Sequence, residues 1–194
     1  ILPAYNEADN LRVLVPEIVE TLEVQNEDFR ILVVDDGSID MTVDAVKDLT
    51  RTHSQVQIER VARNRGKSSA LAIGFERALR AGAACVVTMD ADGQDNPANL
   101  PSLIEAVRAG ADVVVGARDQ RQDRFIKRRA SRIYNYVVRR ASGLDVRDSN
   151  SGFKAFSGSA ATRLQPYLYG ELHRYLPLIA AWLGSSIAEI TVNH

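Results

Sequence analysis

Apolar runs rich in β-branched residues alternate along this chain with stretches in which apolar residues recur every three or four positions. Ile31-Leu32-Val33-Val34, Cys85-Val86-Val87-Thr88-Met89 and Asp112 to Gly116 have the length and composition of buried strands, and residues 1–3 read as the end of another. Val56 to Val61 reads as a short strand with partial alternation. Between the strands, Leu11, Leu14, Ile18 and Leu22 fall at helical spacing. So do Val43, Val46 and Leu49, residues 67–81, and Leu100, Leu103, Ile104 and Val107. This β-α-β-α rhythm predicts an α/β fold with a mainly parallel sheet covered on both faces. The pattern is less regular toward the C-terminus. Ile126, Ala130, Ile133, Val137 and Ala141 form a helical stripe, Phe153 to Phe156 and Ile187 to Val192 read as strands, and a helix is predicted near 171–183, with Trp182 in the core. No repeat, low-complexity stretch or linker interrupts the pattern, so residues 1–194 read as one domain.

Composition changes this picture little. The chain is 45% hydrophobic and 25% charged with net charge −1, which gives no general case for binding nucleic acid. The single cysteine, Cys85, excludes an internal disulfide and lies in an apolar strand, where a buried, inert thiol is expected. No stretch reaches the roughly 18 apolar residues of a membrane span. The opening Ile1-Leu2-Pro3 starts partway through a strand and reads as an excerpt of a longer chain.

The polar turns between these elements carry the chemistry. Tyr5-Asn6-Glu7, Asp35-Asp36-Gly37-Ser38 and Asp90-Ala91-Asp92-Gly93-Gln94 each follow a predicted strand, and in a parallel sheet such turns share the edge where ligands bind. Asp-x-Asp there can hold a hard divalent cation, which in turn holds phosphate oxygens. Asp36 at a strand end can accept hydrogen bonds from nucleobase N–H groups, whereas Ser38 and Asp40 read as caps of the helix that follows. Asn64-Arg65-Gly66-Lys67-Ser68 ends like a phosphate-binding loop, but the first glycine of that motif would fall on Val61, so a nucleoside-triphosphate loop is excluded. Lys67, at a helix start, can still meet a phosphate. Residues 118–140 hold nine Lys or Arg against two Asp, a local charge of +7 that suits phosphate groups and an anionic membrane surface. Asp148 reads as a turn residue or a general base, and His173 as a structural histidine in a helical segment.

Taken in order, these motifs resemble glycosyltransferase family 2, and within it the polyprenyl-phosphate sugar transferases of the dolichyl-phosphate mannose synthase type. The resemblance rests on Pro3-Ala4-Tyr5-Asn6-Glu7, Val33-Val34-Asp35-Asp36-Gly37-Ser38 with Asp40, Asn64-x-Gly66-Lys67 and Asp90-Ala91-Asp92-Gly93-Gln94. Gly116-x-Arg118, Ser151-Gly152-Phe153-Lys154, Leu172-His173-Arg174 and Glu189 to His194 extend it along the whole chain. Asn96 and Asn150 depart from that family's commoner proline and threonine or cysteine. The resemblance implies a GT-A fold, Rossmann-like, with Pro3, Ala4, Tyr5, Glu7, Val34, Asp36, Lys67, Asp90, Ala91 and Asp92 around the nucleotide of a GDP- or UDP-linked sugar. It implies Mg²⁺ or Mn²⁺ on Asp90, Asp92 and Gln94, and an acceptor phosphate gripped by Arg118, Ser131, Arg132 and Arg174. Asp92, Arg118 and Asp148 are then the candidate catalytic residues. The implied reaction is inverting transfer of a hexose to dolichyl or undecaprenyl phosphate at the cytoplasmic face of a membrane.

Three other readings stay open on the sequence. One is a family member with a saccharide acceptor. Another is a haloacid-dehalogenase-like phosphohydrolase, whose Asp-x-Asp-Gly normally opens the domain and is followed by threonine where Gln94 stands. The last is a non-catalytic nucleotide-sugar-binding module.

Overall fold

The computed structural model describes residues 1–118 and 151–192. In chain order the strands are β1 (Leu2–Ala4), β2 (Ile31–Asp35), β3 (Val56–Arg60), β4 (Cys85–Thr88), β5 (Val113–Arg118), β6 (Lys154–Ser157) and β7 (Ile187–Val192). The α-helices are α1 (Ala8–Val24), α2 (Thr42–Thr52), α3 (Lys67–Arg80), α4 (Leu100–Arg108), α5 (Gly158–Leu164) and α6 (Leu176–Trp182).

β1, β2 and β3 pair in parallel with β2 central, and β4, β6, β5 and β7 form a second ladder in that order. Ile1 joins the two ladders. Its nitrogen donates to the Val87 carbonyl at 2.7 Å, and its own carbonyl accepts from the Met89 N–H at 3.2 Å. The order across the molecule is therefore β3-β2-β1-β4-β6-β5-β7. Among the described strands only β6 runs against its neighbours, pairing antiparallel with both β4 and β5, while β5 and β7 are parallel.

Side-chain alternation along the strands divides the core into two layers. Val114 and Ala155 pack with α1, α2 and α4 through Leu11, Leu14, Ile18, Val46 and Leu103. Val113, Val115 and Phe156 face the other way, onto α3, α5 and α6 through Leu71, Phe75, Leu164 and Leu176. Phe75 and Phe156 meet edge to face with ring centroids 5.2 Å apart. The expected α/β arrangement, mainly parallel with helices on both faces, is thus what the chain adopts.

Strand direction positions the site. β1, β2, β4 and β5 all end at one edge of the sheet, so the turns after Ala4, Asp35 and Thr88 lie together there, and Arg118 closes β5 at the same edge. β6 is reversed and begins at that edge, with Lys154 paired to Thr88 on one side and Val115 on the other. Its lead-in, Ser151-Gly152-Phe153, therefore enters the ligand edge from a strand running the other way.

Two expectations near the C-terminus are corrected. The helix predicted near 171–183 is a 3₁₀ turn, Leu172–Tyr175, followed by α6. Pro177 lies in the first turn of α6, where its missing N–H is tolerated but cannot extend a helix from upstream. Trp182 is 72% exposed rather than in the core. α6 buries Leu176, Pro177 and Ala180, and a residue two positions beyond Ala180 lies on the opposite side of the helix. Cys85 is half-buried and burial raises its thiol pKa to about 11, so the expectation of an inert thiol holds.

Candidate active site

The first two turns are laced together by side chains. Asn6, at φ 59°, sits in the left-handed region that asparagine tolerates, donates its N–H to Ser38 Oγ at 2.9 Å and accepts from the Ile39 N–H at 3.0 Å. Glu7 N–H donates to Thr42 Oγ1 at 2.9 Å. Asp40 serves two helix starts, accepting from Thr42 N–H at the head of α2 (3.0 Å) and from Ala8 N–H at the head of α1 (3.4 Å). The capping role expected of Asp40 is present. Ser38 instead bridges to the turn after β1.

Asp36 is 4% exposed, and both its oxygens are engaged: Oδ1 accepts from Arg65 N–H at 2.9 Å and Oδ2 from Gly66 N–H at 2.7 Å. It therefore shapes the turn that leads into α3. The acceptor capacity expected to meet a nucleobase is partly committed to backbone, since a carboxylate offers about four lone-pair positions and two are used here. Gly66, at φ 90°, precedes Lys67, the first residue of α3.

Lys67 forms an ion pair with Asp90 Oδ1 across the site. The Asp90 carboxyl also packs on Gly152. A Cβ at that glycine would lie 2.3–2.5 Å from the Asp90 carboxyl atoms. Asp92 Oδ1 accepts from the Gln94 N–H at 3.0 Å, an Asx-type turn closed by Gly93 at φ 73°. Asp92 is half-buried and Gln94 is exposed.

These groups border a pocket of about 240 Å³ lined by the residues expected around the nucleotide, Val34 excepted, with Asn64 and Gly66 added. Val34 is fully buried, because β2 is a central strand covered on both faces, so its side chain faces the core instead of the pocket. No group of three His, Cys, Asp or Glu able to hold a metal occurs among the described residues. A set of two carboxylates and the Gln94 amide nevertheless suits a hard cation that keeps water and substrate phosphate in its remaining positions. Asp90 already attracts one cationic group, the Lys67 ammonium.

A second pocket, about 300 Å³, adjoins the first through Lys67. Thr88, Ser151, Lys154, His173 and Arg174 line it. Lys154 is 4% exposed and its ammonium donates to the Ser151 carbonyl, while Thr88 Oγ1 donates to the Gly152 carbonyl at 2.9 Å. Arg174 pairs with Glu171 at 3.0 Å on the rim. The tight fit at Gly152 and the fixing of its turn by Thr88 and Lys154 were not read from the sequence. The local signal for it in the sequence is the string Ser151-Gly152-Phe153-Lys154. Ser131, Arg132 and Asp148 lie outside the described residues, as does most of the basic 118–140 segment.

His173 Nδ1 lies 2.7 Å from Ser68 Oγ. Burial, reinforced by Lys67, lowers its pKa to about 4, so it is neutral at pH 7. A folded-state value below the usual histidine range means that protons bind the unfolded chain more readily. His173 thus costs no stability above about pH 6.5 and destabilises progressively as pH falls toward 4. Thermal melts of wild type and His173→Gln between pH 8 and 4 should show the variant losing less melting temperature over that range.

The arrangement of sheet and turns has solved counterparts. A mannosyltransferase from Pyrobaculum calidifontis, in complex with GDP-Man and Mn²⁺, superposes with a TM-score of 0.62 at 22% identity, covering 98% of this chain and 53% of that one. At that identity the likeness shows a shared fold, GT-A. Residues 1–164 match glycosyl transferase family 2, and the chain belongs to that family. An undecaprenyl-phosphate 4-deoxy-4-formamido-L-arabinose transferase from Edwardsiella ictaluri is 32% identical across 100% of this chain and 58% of its own length. A dodecaprenyl-phosphate galacturonate synthase from Rhizobium johnstonii is 30% identical across 100% of this chain and 57% of its own. The chain spans a little over half the length of these relatives.

Proposed function

We propose that residues 1–194 form a single GT-A catalytic domain that transfers a hexose from a GDP- or UDP-linked donor to a polyprenyl phosphate, with inversion at the anomeric carbon. The observation that carries this reading is the pocket in which Tyr5, Asp36, Lys67, Asp90 and Asp92 converge from separate turns of one sheet edge. The acceptor class is supported by the names of the relatives that align over the whole chain. The phosphohydrolase alternative is set aside: the chain belongs to a transferase family, and its Asp-x-Asp follows β4 rather than opening the domain.

In this reading Tyr5 and Asp36 flank the nucleotide, and Lys67 neutralises diphosphate charge. A divalent ion, Mg²⁺ or Mn²⁺, held by Asp90, Asp92 and Gln94 would supply Lewis-acid stabilisation of the departing diphosphate. Arg118, Ser131, Arg132 and Arg174 hold the acceptor phosphate in line with the anomeric carbon. That phosphate is already anionic, so base assistance from Asp148 is a minor contribution. No described helix is long and apolar enough to cross a membrane. The lipid acceptor places the domain at a membrane surface, and the nucleotide-sugar donor favours the cytoplasmic face.

Thermal shifts with GDP-mannose, UDP-glucose and UDP-galactose, with and without Mn²⁺, test the donor side. A metal-dependent rise with one donor, abolished in Asp92→Ala, is the expected result. No shift with any of the three would count against the reading. Turnover of polyprenyl phosphate by the protein tests the acceptor, and an α-linked product from an α-linked donor would exclude a single displacement.

A further inference from the structure

Lys67 does more in this geometry than wait for a phosphate. Its ammonium lies on Asp90, one of the two carboxylates of the Asp-x-Asp turn. The Asp90 carboxyl also packs against Gly152, where a Cβ would lie 2.3–2.5 Å from it. Thr88 and Lys154 in turn hold that glycine's turn through the Gly152 and Ser151 carbonyls. Lys67 is the longer and more exposed partner. It has a four-carbon stem, its side chain is 33% exposed, and it borders both pockets.

We propose that Lys67 is a built-in competitor for the metal site: a divalent cation reaches Asp90 only as the Lys67 ammonium is drawn off it, and the diphosphate of the donor is what draws it. This rests on the metal-assisted reading above and adds the coupling between metal and nucleotide. A cation arriving alone must displace a charge-assisted hydrogen bond. Arriving with a diphosphate, it meets a carboxylate whose former partner has a new anion to bind. By linkage, nucleotide and metal then strengthen each other beyond their direct contact, and the excess passes through Lys67.

The consequence is a pair of opposite effects from one substitution. Lys67→Met should bind Mn²⁺ alone more tightly than wild type, roughly fivefold, the scale of a partly exposed ion pair. The same variant should bind GDP or UDP in EDTA about tenfold more weakly, having lost a charged phosphate donor. Free Mn²⁺ followed by electron paramagnetic resonance measures the first, and calorimetry with GDP and UDP the second. Lys67→Gln serves as a second variant, and circular dichroism verifies both folds. Equal or weaker Mn²⁺ binding by folded Lys67→Met and Lys67→Gln, with wild type still binding Mn²⁺ in the presence of GDP or UDP, would overturn the competition and leave the functional reading standing. Failure of wild type to bind Mn²⁺ even with saturating GDP or UDP would overturn both.

Discussion

Gly152→Ala is expected to leave the chain folded and to weaken Mn²⁺-dependent nucleotide binding by about 10- to 100-fold, the loss typical when a group that orients a metal ligand is disturbed. The new methyl carbon would stand 2.3–2.5 Å from the Asp90 carboxyl atoms, a separation that cannot persist. What yields is decided by what is soft. Gly152 belongs to a turn tied by Thr88 Oγ1 at 2.9 Å and by Lys154, and it enters β6 in the interior of the sheet. Asp90 is a short side chain just past the end of β4, 25% exposed, and a change of rotamer can take it away from a new methyl group. Asp90 therefore moves, the Lys67 pair breaks, and the Asp-x-Asp turn loses one of its two carboxylates. Calorimetric titration with GDP or UDP in the presence and absence of Mn²⁺ separates this from general damage, because the metal-independent part of binding should survive. An unchanged metal effect would mean that the sheet can retreat from Asp90.

Gly37→Ala should act oppositely, on stability before binding. Gly37 has φ +75°, and a Cβ there would lie 2.7–2.8 Å from the backbone of Arg63 and Asn64. The left-handed backbone alone costs a non-glycine residue about 1–3 kcal/mol, and the clash is with main chain that no rotamer change can clear. The turn it would displace is the one that Asp36 holds through Arg65 and Gly66. A loss on the order of 2–4 kcal/mol, read from urea unfolding with an unchanged m-value, is expected. Nucleotide binding at 25 °C would fall only in proportion to the unfolded fraction and any shift of Lys67. A loss under 1 kcal/mol would show that the two turns slide apart cheaply.

The contrast between these glycines shows how far sequence reading reaches. Gly37 lies in Asp36-Gly37-Ser38, where an acidic strand end followed by Gly-Ser already indicates a tight turn. Gly152 carries no such sign, since its constraint comes from a residue 62 positions away along the chain. Asp36 is a similar case. Its place at the pocket follows from being at the end of β2, but its commitment to Arg65 and Gly66 follows from where the β3–α3 connection passes. The size and apolarity of Trp182 predict burial, whereas the short α6 has a single buried face set by Leu176 and Ala180.

By itself the sequence determined the alternation of strands and helices, the acidic turns that follow three of those strands, and the family. The first two depend on local composition and period, whereas the family rests on the resemblance of the ordered motifs. Only the tertiary structure decided that β6 runs antiparallel, since a strand's apolar pattern reads the same in both directions. That reversal brings Ser151-Gly152 against Asp90 and Lys154 beneath the second pocket. It likewise decided that Lys67 pairs with Asp90 and His173 with Ser68, contacts between residues 23 and 105 positions apart. Such pairings are set by which elements the packed sheet and helices bring side by side, and no local pattern carries that information.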